Sequence, residues 1–186
     1  MRILLTSCGL ETEKIKKHFL DMLGKDASDV RALFVPTAAI NADAIAVLPK
    51  CMNDLLKCGI PKENIQVFDL HENMPIDELN TFDVVYLCGG STSYLLERIN
   101  DTGFRDTLMK FIRDEGFVVG VSAGSLIFAN NLPGNLELID TKLGVHCGEG
   151  ELPGRLNFPL KENIKLTNTA AMVIRNIPDN VEIIDR

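Results

Sequence analysis

Short apolar runs alternate with segments of helical period up to about residue 130, and this alternation restricts the fold more than any other feature. Strand-like runs fall at residues 3–6, 30–35, 64–70, 83–88 and 117–121. Helical segments fall between them at residues 11–23, 41–58, 93–99 and 103–115, with a short helical turn at 76–79. In the first helix the apolar residues Ile15, Phe19, Met22 and Leu23 recur at helical spacing, and Gly24 is a suitable C-terminal stop. The strand runs are almost continuously apolar, which marks strands buried on both faces rather than one. Strand followed by helix, repeated, predicts an α/β fold with a mostly parallel sheet covered on both sides. Beyond the last of these helices the pattern changes to short strand-like pieces at 136–140, 143–146, 164–166, 171–174 and 181–184. These are expected to form closing strands, partly antiparallel, with a turn at Ile177-Pro178-Asp179-Asn180. No linker, repeat or low-complexity tract divides the chain, so residues 1–186 are expected to form a single domain.

Composition narrows the function classes. The net charge is −7 with no basic stripe, which argues against nucleic acid and anionic membrane as partners. No apolar run approaches the roughly 18 residues of a membrane span. The apolar start, residues 3–5, is short for a signal peptide and reads as a first strand. Five cysteines, an odd number without a C-x-x-C pair, suggest reduced thiols and a cytoplasmic location. Cys8 and Cys88 each end a strand, where ligand sites gather, although a small buried residue explains both equally well.

Open parallel sheets bind ligands beyond the carboxyl ends of their strands. Three polar or glycine-rich exits fall there: Ser7-Cys8-Gly9, Cys88-Gly89-Gly90-Ser91-Thr92 and Gly120-Val121-Ser122. The last continues to Ala123-Gly124, giving G-x-S-x-G between an apolar run and a helix-like segment at 125–130. In that context the motif is a nucleophile elbow: a sharp turn lifts the Ser122 hydroxyl clear of the sheet, and the flanking glycines let backbone approach backbone. The Ala123 N–H would then face a developing oxyanion. A second donor could come from Gly89-Gly90. A serine nucleophile needs a base. Of the three histidines, His18 lies inside the first helix and His71 in a solvated loop, leaving His146 at the end of a short strand as the natural choice. There is no G-x-G-x-x-G, no Walker-type G-K-[ST] and no H-E-x-x-H, so no cofactor and no metal are expected.

The order strand, Gly89-Gly90-Ser91-Thr92, helix, then strand, Gly120-x-Ser122-Ala123-Gly124, helix, then a strand-borne His146 resembles peptidase family S51. This is the peptidase E (α-aspartyl dipeptidase) and cyanophycinase-like family. The strand ending Val35-Pro36-Thr37-Ala38 fits as well. The resemblance implies a three-layer, flavodoxin-like sandwich of the class I glutamine amidotransferase type. It further implies a serine peptidase with Ser122 as nucleophile, His146 as general base, and Gly90 and Ala123 as oxyanion donors. The substrate would be a small peptide, in the family's dipeptidases one with an N-terminal aspartate, and a homodimer is expected.

Two departures qualify this. The segment between the elbow and His146 is short, and the family's acidic triad member has no clear match in it; Glu137, Asp140 and Glu149 are the nearby carboxylates. Relatives also often carry a proline before the histidine, where this chain reads Gly144-Val145-His146-Cys147. A catalytically silent binding module on the same fold is therefore the alternative reading. For a cation that would recognise an aspartyl substrate, Arg155 and Lys142 are the candidates by position. Glutamine amidotransferase chemistry uses a cysteine at the elbow, and this chain has Ser122.

Overall fold

The apolar runs form strands that are buried at Ala32–Val35, Val84–Leu87 and Phe117–Val121 and nearly so at Arg2–Thr6, whereas the edge strand Ile65–Val67 is largely exposed; the helices between them cover both faces of one sheet. A computed structural model describes residues 1–157, 159–160, 162–177 and 179–186. Its elements run β1 (Arg2–Thr6), α1 (Glu13–Leu23), β2 (Ala32–Val35), α2 (Ala42–Lys57), β3 (Ile65–Val67), α3 (Ile76–Leu79), β4 (Val84–Leu87), α4 (Thr92–Asp101), α5 (Phe104–Arg113), β5 (Phe117–Val121) and α6 (Ala123–Leu126). Five short strands follow: β6 (Leu143–Gly144), β7 (Gly154–Arg155), β8 (Ile164–Lys165), β9 (Ala171–Asn176) and β10 (Asn180–Ile184).

The main sheet has eight strands in the order β3-β2-β4-β5-β1-β9-β10-β7. From β3 to β1 every pairing is parallel. Leu87 of β4 lies opposite Gly120 of β5, and Val121 of β5 lies opposite Thr6 of β1. The exits of these three strands are therefore side by side at one edge, the edge where sheets of this kind bind ligands. β9 then joins β1 antiparallel, with Ala171 opposite Thr6. That reversal matters for the site, because it brings the residues just before Ala171 to the same edge. β10 and β7 complete the sheet, also antiparallel. β6 and β8 form a separate parallel pair.

Successive strand residues point to opposite faces, and two cores result. Leu4, Phe34, Tyr86, Phe117 and Val119 pack with Ile15 and Phe19 of α1 and Cys51 and Leu55 of α2. Ile3, Leu5, Val85, Leu87 and Val118 pack on the other face with Leu95 and Ile99 of α4 and Leu108 and Ile112 of α5. The result is the expected three-layer α/β sandwich.

The elements depart from expectation mainly after β5. The helix begins immediately beyond Ser122 and ends at Leu126, rather than covering 125–130, because the chain turns to bridge Ala129 with Ile139. The strand expected at 136–140 is reduced to that single bridge. The turn expected at 177–180 includes Pro178, which lies outside the described residues.

Candidate active site

Ser122 sits between β5 and α6 with φ +49° and ψ −109°. A non-glycine residue at such a φ is uncommon and marks a constrained turn. The constraint comes from its neighbours. A side chain at Gly120 would collide with the Gly124 carbonyl, and one at Gly124 would collide with the Leu87 carbonyl of β4. Ser125, fully buried, locks the turn. Its Oγ accepts the Thr6 N–H at 3.0 Å and lies 2.8 Å from both the Thr6 and Gly120 carbonyl oxygens, to which it donates. The Ser122 N–H donates to the Thr6 carbonyl at 2.9 Å. Nothing in the spacing of the motif announced the part played by Ser125; its hydroxyl is needed because the elbow abuts the end of β1.

His146 follows β6 and also has a left-handed backbone, φ +56°. Its Nε2 lies 3.0 Å from Ser122 Oγ. Its Nδ1 lies 2.9 Å from Asn168 Oδ1. A carbonyl oxygen can only accept, so we assign the proton to Nδ1; Nε2 is then free to accept from the Ser122 hydroxyl. The backbone of His146 is anchored by Ser7, whose Oγ accepts the His146 N–H at 3.2 Å and donates to the Leu166 carbonyl at 3.2 Å. Cys147 N–H donates to the same carbonyl at 3.0 Å.

The group orienting His146 is thus an amide and not an acid. Glu137, Asp140 and Glu149 are all exposed, and none of them bonds to His146 among the described residues. Glu137 and Asp140 line a separate hollow with Asn130 and Asn135. Asn168 was not discernible from the sequence: it lies in the turn before β9, and only the antiparallel entry of β9 beside β1 carries it to the histidine.

Ser122 and His146 open onto a cavity of about 250 Å³. Gly89 and Gly90 line it from the β4 exit, Ser7 and Cys8 from the β1 exit, and α2 forms its far wall. Gly90 has φ +141°, and Ala123 is buried directly after Ser122. Neither the Gly90 N–H nor the Ala123 N–H has an acceptor among the hydrogen bonds of the described residues. Cys8 Sγ lies 3.6 Å from His146 Nδ1, making it a possible competitor as nucleophile. Burial pushes its thiol pKa up, only partly opposed by Lys50, so the reactive thiolate is disfavoured.

Among the described residues, Lys50 is the only lysine or arginine on the cavity wall. Lys142 and Arg155 do not line it; Arg155 lies on β7, at the far edge of the sheet. His18 accepts a hydrogen bond from Arg175 at 3.2 Å, and His71 pairs with Asp69 at 3.0 Å; both stand apart from the cavity. No helix among the described residues is long and apolar enough to cross a membrane.

Comparison with known proteins agrees with this architecture. The family model for peptidase family S51 matches residues 3–137. A Pasteurella multocida (strain Pm70) protein described as an uncharacterized peptidase is 25% identical over 114 residues, covering 61% of this chain and 55% of the relative. The chain therefore spans about half the length of that relative. A protein described as a candidate peptidase E from Listeria monocytogenes EGD-e superposes with a TM-score of 0.77 at 19% identity, covering 100% of this chain and 98% of that one. A peptidase from an acI-B1 Actinobacterium superposes with a TM-score of 0.72 at 14% identity, covering 100% of this chain and 87% of that one. With the elbow, the glycine-rich β4 exit and the sheet order in place, the chain belongs to peptidase family S51.

Proposed function

We propose that the protein is a serine-type peptidase that cleaves a small peptide or amide through an acyl-enzyme on Ser122. The observation that carries this reading is the 3.0 Å contact between Ser122 Oγ and His146 Nε2, within reach for proton transfer. In the proposed mechanism Ser122 Oγ attacks the scissile carbonyl and His146 Nε2 takes the hydroxyl proton. The oxyanion is assigned to the Gly90 and Ala123 N–H groups, neither of which has an acceptor among the described residues. His146 then protonates the leaving amine. A water, deprotonated by the same nitrogen, releases the acid product and regenerates Ser122.

Asn168 fixes the tautomer and the ring plane, as the asparagine of Cys-His-Asn proteases does. Being neutral, it gives the imidazolium less stabilisation than a carboxylate would. The alternative, a silent binding module, drew its support from the missing acid; the Asn168 contact supplies the orientation that the acid would have given.

The test is labelling with an alkyl fluorophosphonate, followed by intact mass. One adduct is expected on the wild type and none on Ser122→Ala. His146→Ala should label at least about 10³-fold more slowly, since members of such a triad act as a unit. A wild-type protein that stays unlabelled alongside a reactive control hydrolase would refute the mechanism.

A further inference from the structure

The wall opposite the elbow indicates what the cavity accepts. In α2 the core-facing residues, Cys51, Asp54 and Leu55, all lie in the second half of the helix. Of the apolar residues of the first half, Leu48 is half-buried against the core, whereas Val47 is exposed. Ala44, Val47 and Leu48, with Cys51 one turn on, form an i, i+3, i+4, i+7 stripe, and all four line the cavity. Val121 adds a further apolar surface beside Ser122. Val47 is 49% exposed, so apolar surface is available for a ligand to cover.

The one cation that the described residues place on the wall is already engaged. Lys50 Nζ pairs with Glu11 Oε2 at 2.7 Å and donates to the Cys8 carbonyl at 2.7 Å. A substrate carboxylate at this point would have to displace Glu11 and would meet its negative charge. An ionised group placed against the stripe itself would lose hydration without gaining a partner.

We infer that the cavity selects substrates with an uncharged, apolar side chain next to the scissile bond, and that aspartyl substrates are poor ones. This rests on the reading of Ser122 as nucleophile. The selectivity follows from wall chemistry: apolar surface gains by being covered, whereas a carboxylate finds only a neutralised lysine.

The experiment compares alanyl-, leucyl- and aspartyl-7-amido-4-methylcoumarin, with the fluorophosphonate labelling run in parallel. The wild type is expected to favour the better of the two apolar substrates over the aspartyl one by at least about tenfold in kcat/KM, in line with the discrimination a pocket gives for one or two buried groups. Val47→Arg, at an exposed position, should narrow or invert that ratio. A labelled protein that cleaves the aspartyl substrate as well as or better than the apolar ones would overturn the inference and leave the serine mechanism standing. A labelled protein whose ratio is unmoved by Val47→Arg would remove the stripe as its cause. An unlabelled protein would overturn the mechanism and this inference together.

Discussion

The two halves of the site are built differently. Ser122 stands on the interior of the sheet: β5 is buried along its whole length, and the elbow is clamped by Ser125 and by two glycine contacts with backbone. His146 and Asn168 are both exposed, and each is carried by a loop beside a strand rather than by a strand of the central sheet. What holds the second half is a small number of hydrogen bonds centred on Ser7. Strain and packing position Ser122, while polar contacts position His146. The first arrangement ties the geometry of the site to global stability; the second leaves it adjustable without unfolding the core.

That contrast can be broken by substitution. Gly124→Ala should show the largest effect on stability, about 2–3 kcal/mol in urea unfolding, because the new Cβ meets the Leu87 backbone, which cannot move without distorting β4. A variant as stable as the parent would show that the elbow is less tightly clamped than its contacts imply. Ser7→Ala lies at the junction of the two halves. Losing both its bonds should cost about 1–2 kcal/mol and lower kcat more than it raises KM, since His146 loses its backbone anchor.

Asn168→Ala should leave the unfolding midpoint nearly unchanged while kcat falls about tenfold, the worth of one orienting hydrogen bond. Asn168→Asp should recover that loss, because a carboxylate accepts the same proton and stabilises the imidazolium as well. If Asn168→Ala instead lowered stability and activity in proportion, the loop half would be part of the cooperative core and the contrast would fail.

The smallest effect is expected far from the site. Burial, and then the neighbouring Arg175, hold the His18 pKa below its ordinary value of 6.5. On acidification the unfolded chain therefore takes up this proton before the folded one does. Stability is full above the unfolded value and is lost as the pH falls from there through the folded value. His18→Gln should lose less stability than the parent as the pH falls below the ordinary histidine value of 6.5, with turnover at neutral pH unchanged.

The family match ends at residue 137, and so it covers the clamped half of the site and stops before the histidine. The two halves also differ in what they ask of the local sequence. The strand-turn-helix elbow needs glycine at 120 and 124, because a Cβ at Gly120 would meet the Gly124 carbonyl and one at Gly124 the Leu87 carbonyl. A histidine held by loop contacts has no comparable local requirement.

The same difference separates what was legible in the sequence from what was not. The alternation of strands and helices and the elbow at Ser122 follow from patterns a few residues long: period, turn chemistry and motif spacing. His146 follows by elimination among three histidines and from the family resemblance. The orienting residue, the anchor and the character of the cavity wall follow from neither. Asn168 reaches His146 across 22 positions of chain, and Ser7 reaches it across 139. Lys50 meets the β1 exit from 42 positions away. Carboxylates close to His146 in sequence drew attention to Glu137, Asp140 and Glu149, whereas the antiparallel entry of β9 beside β1 put an asparagine there instead. Local sequence determined the elements and the elbow at Ser122. Strand order, by bringing distant strand exits to one edge of the sheet, decided which residues surround it.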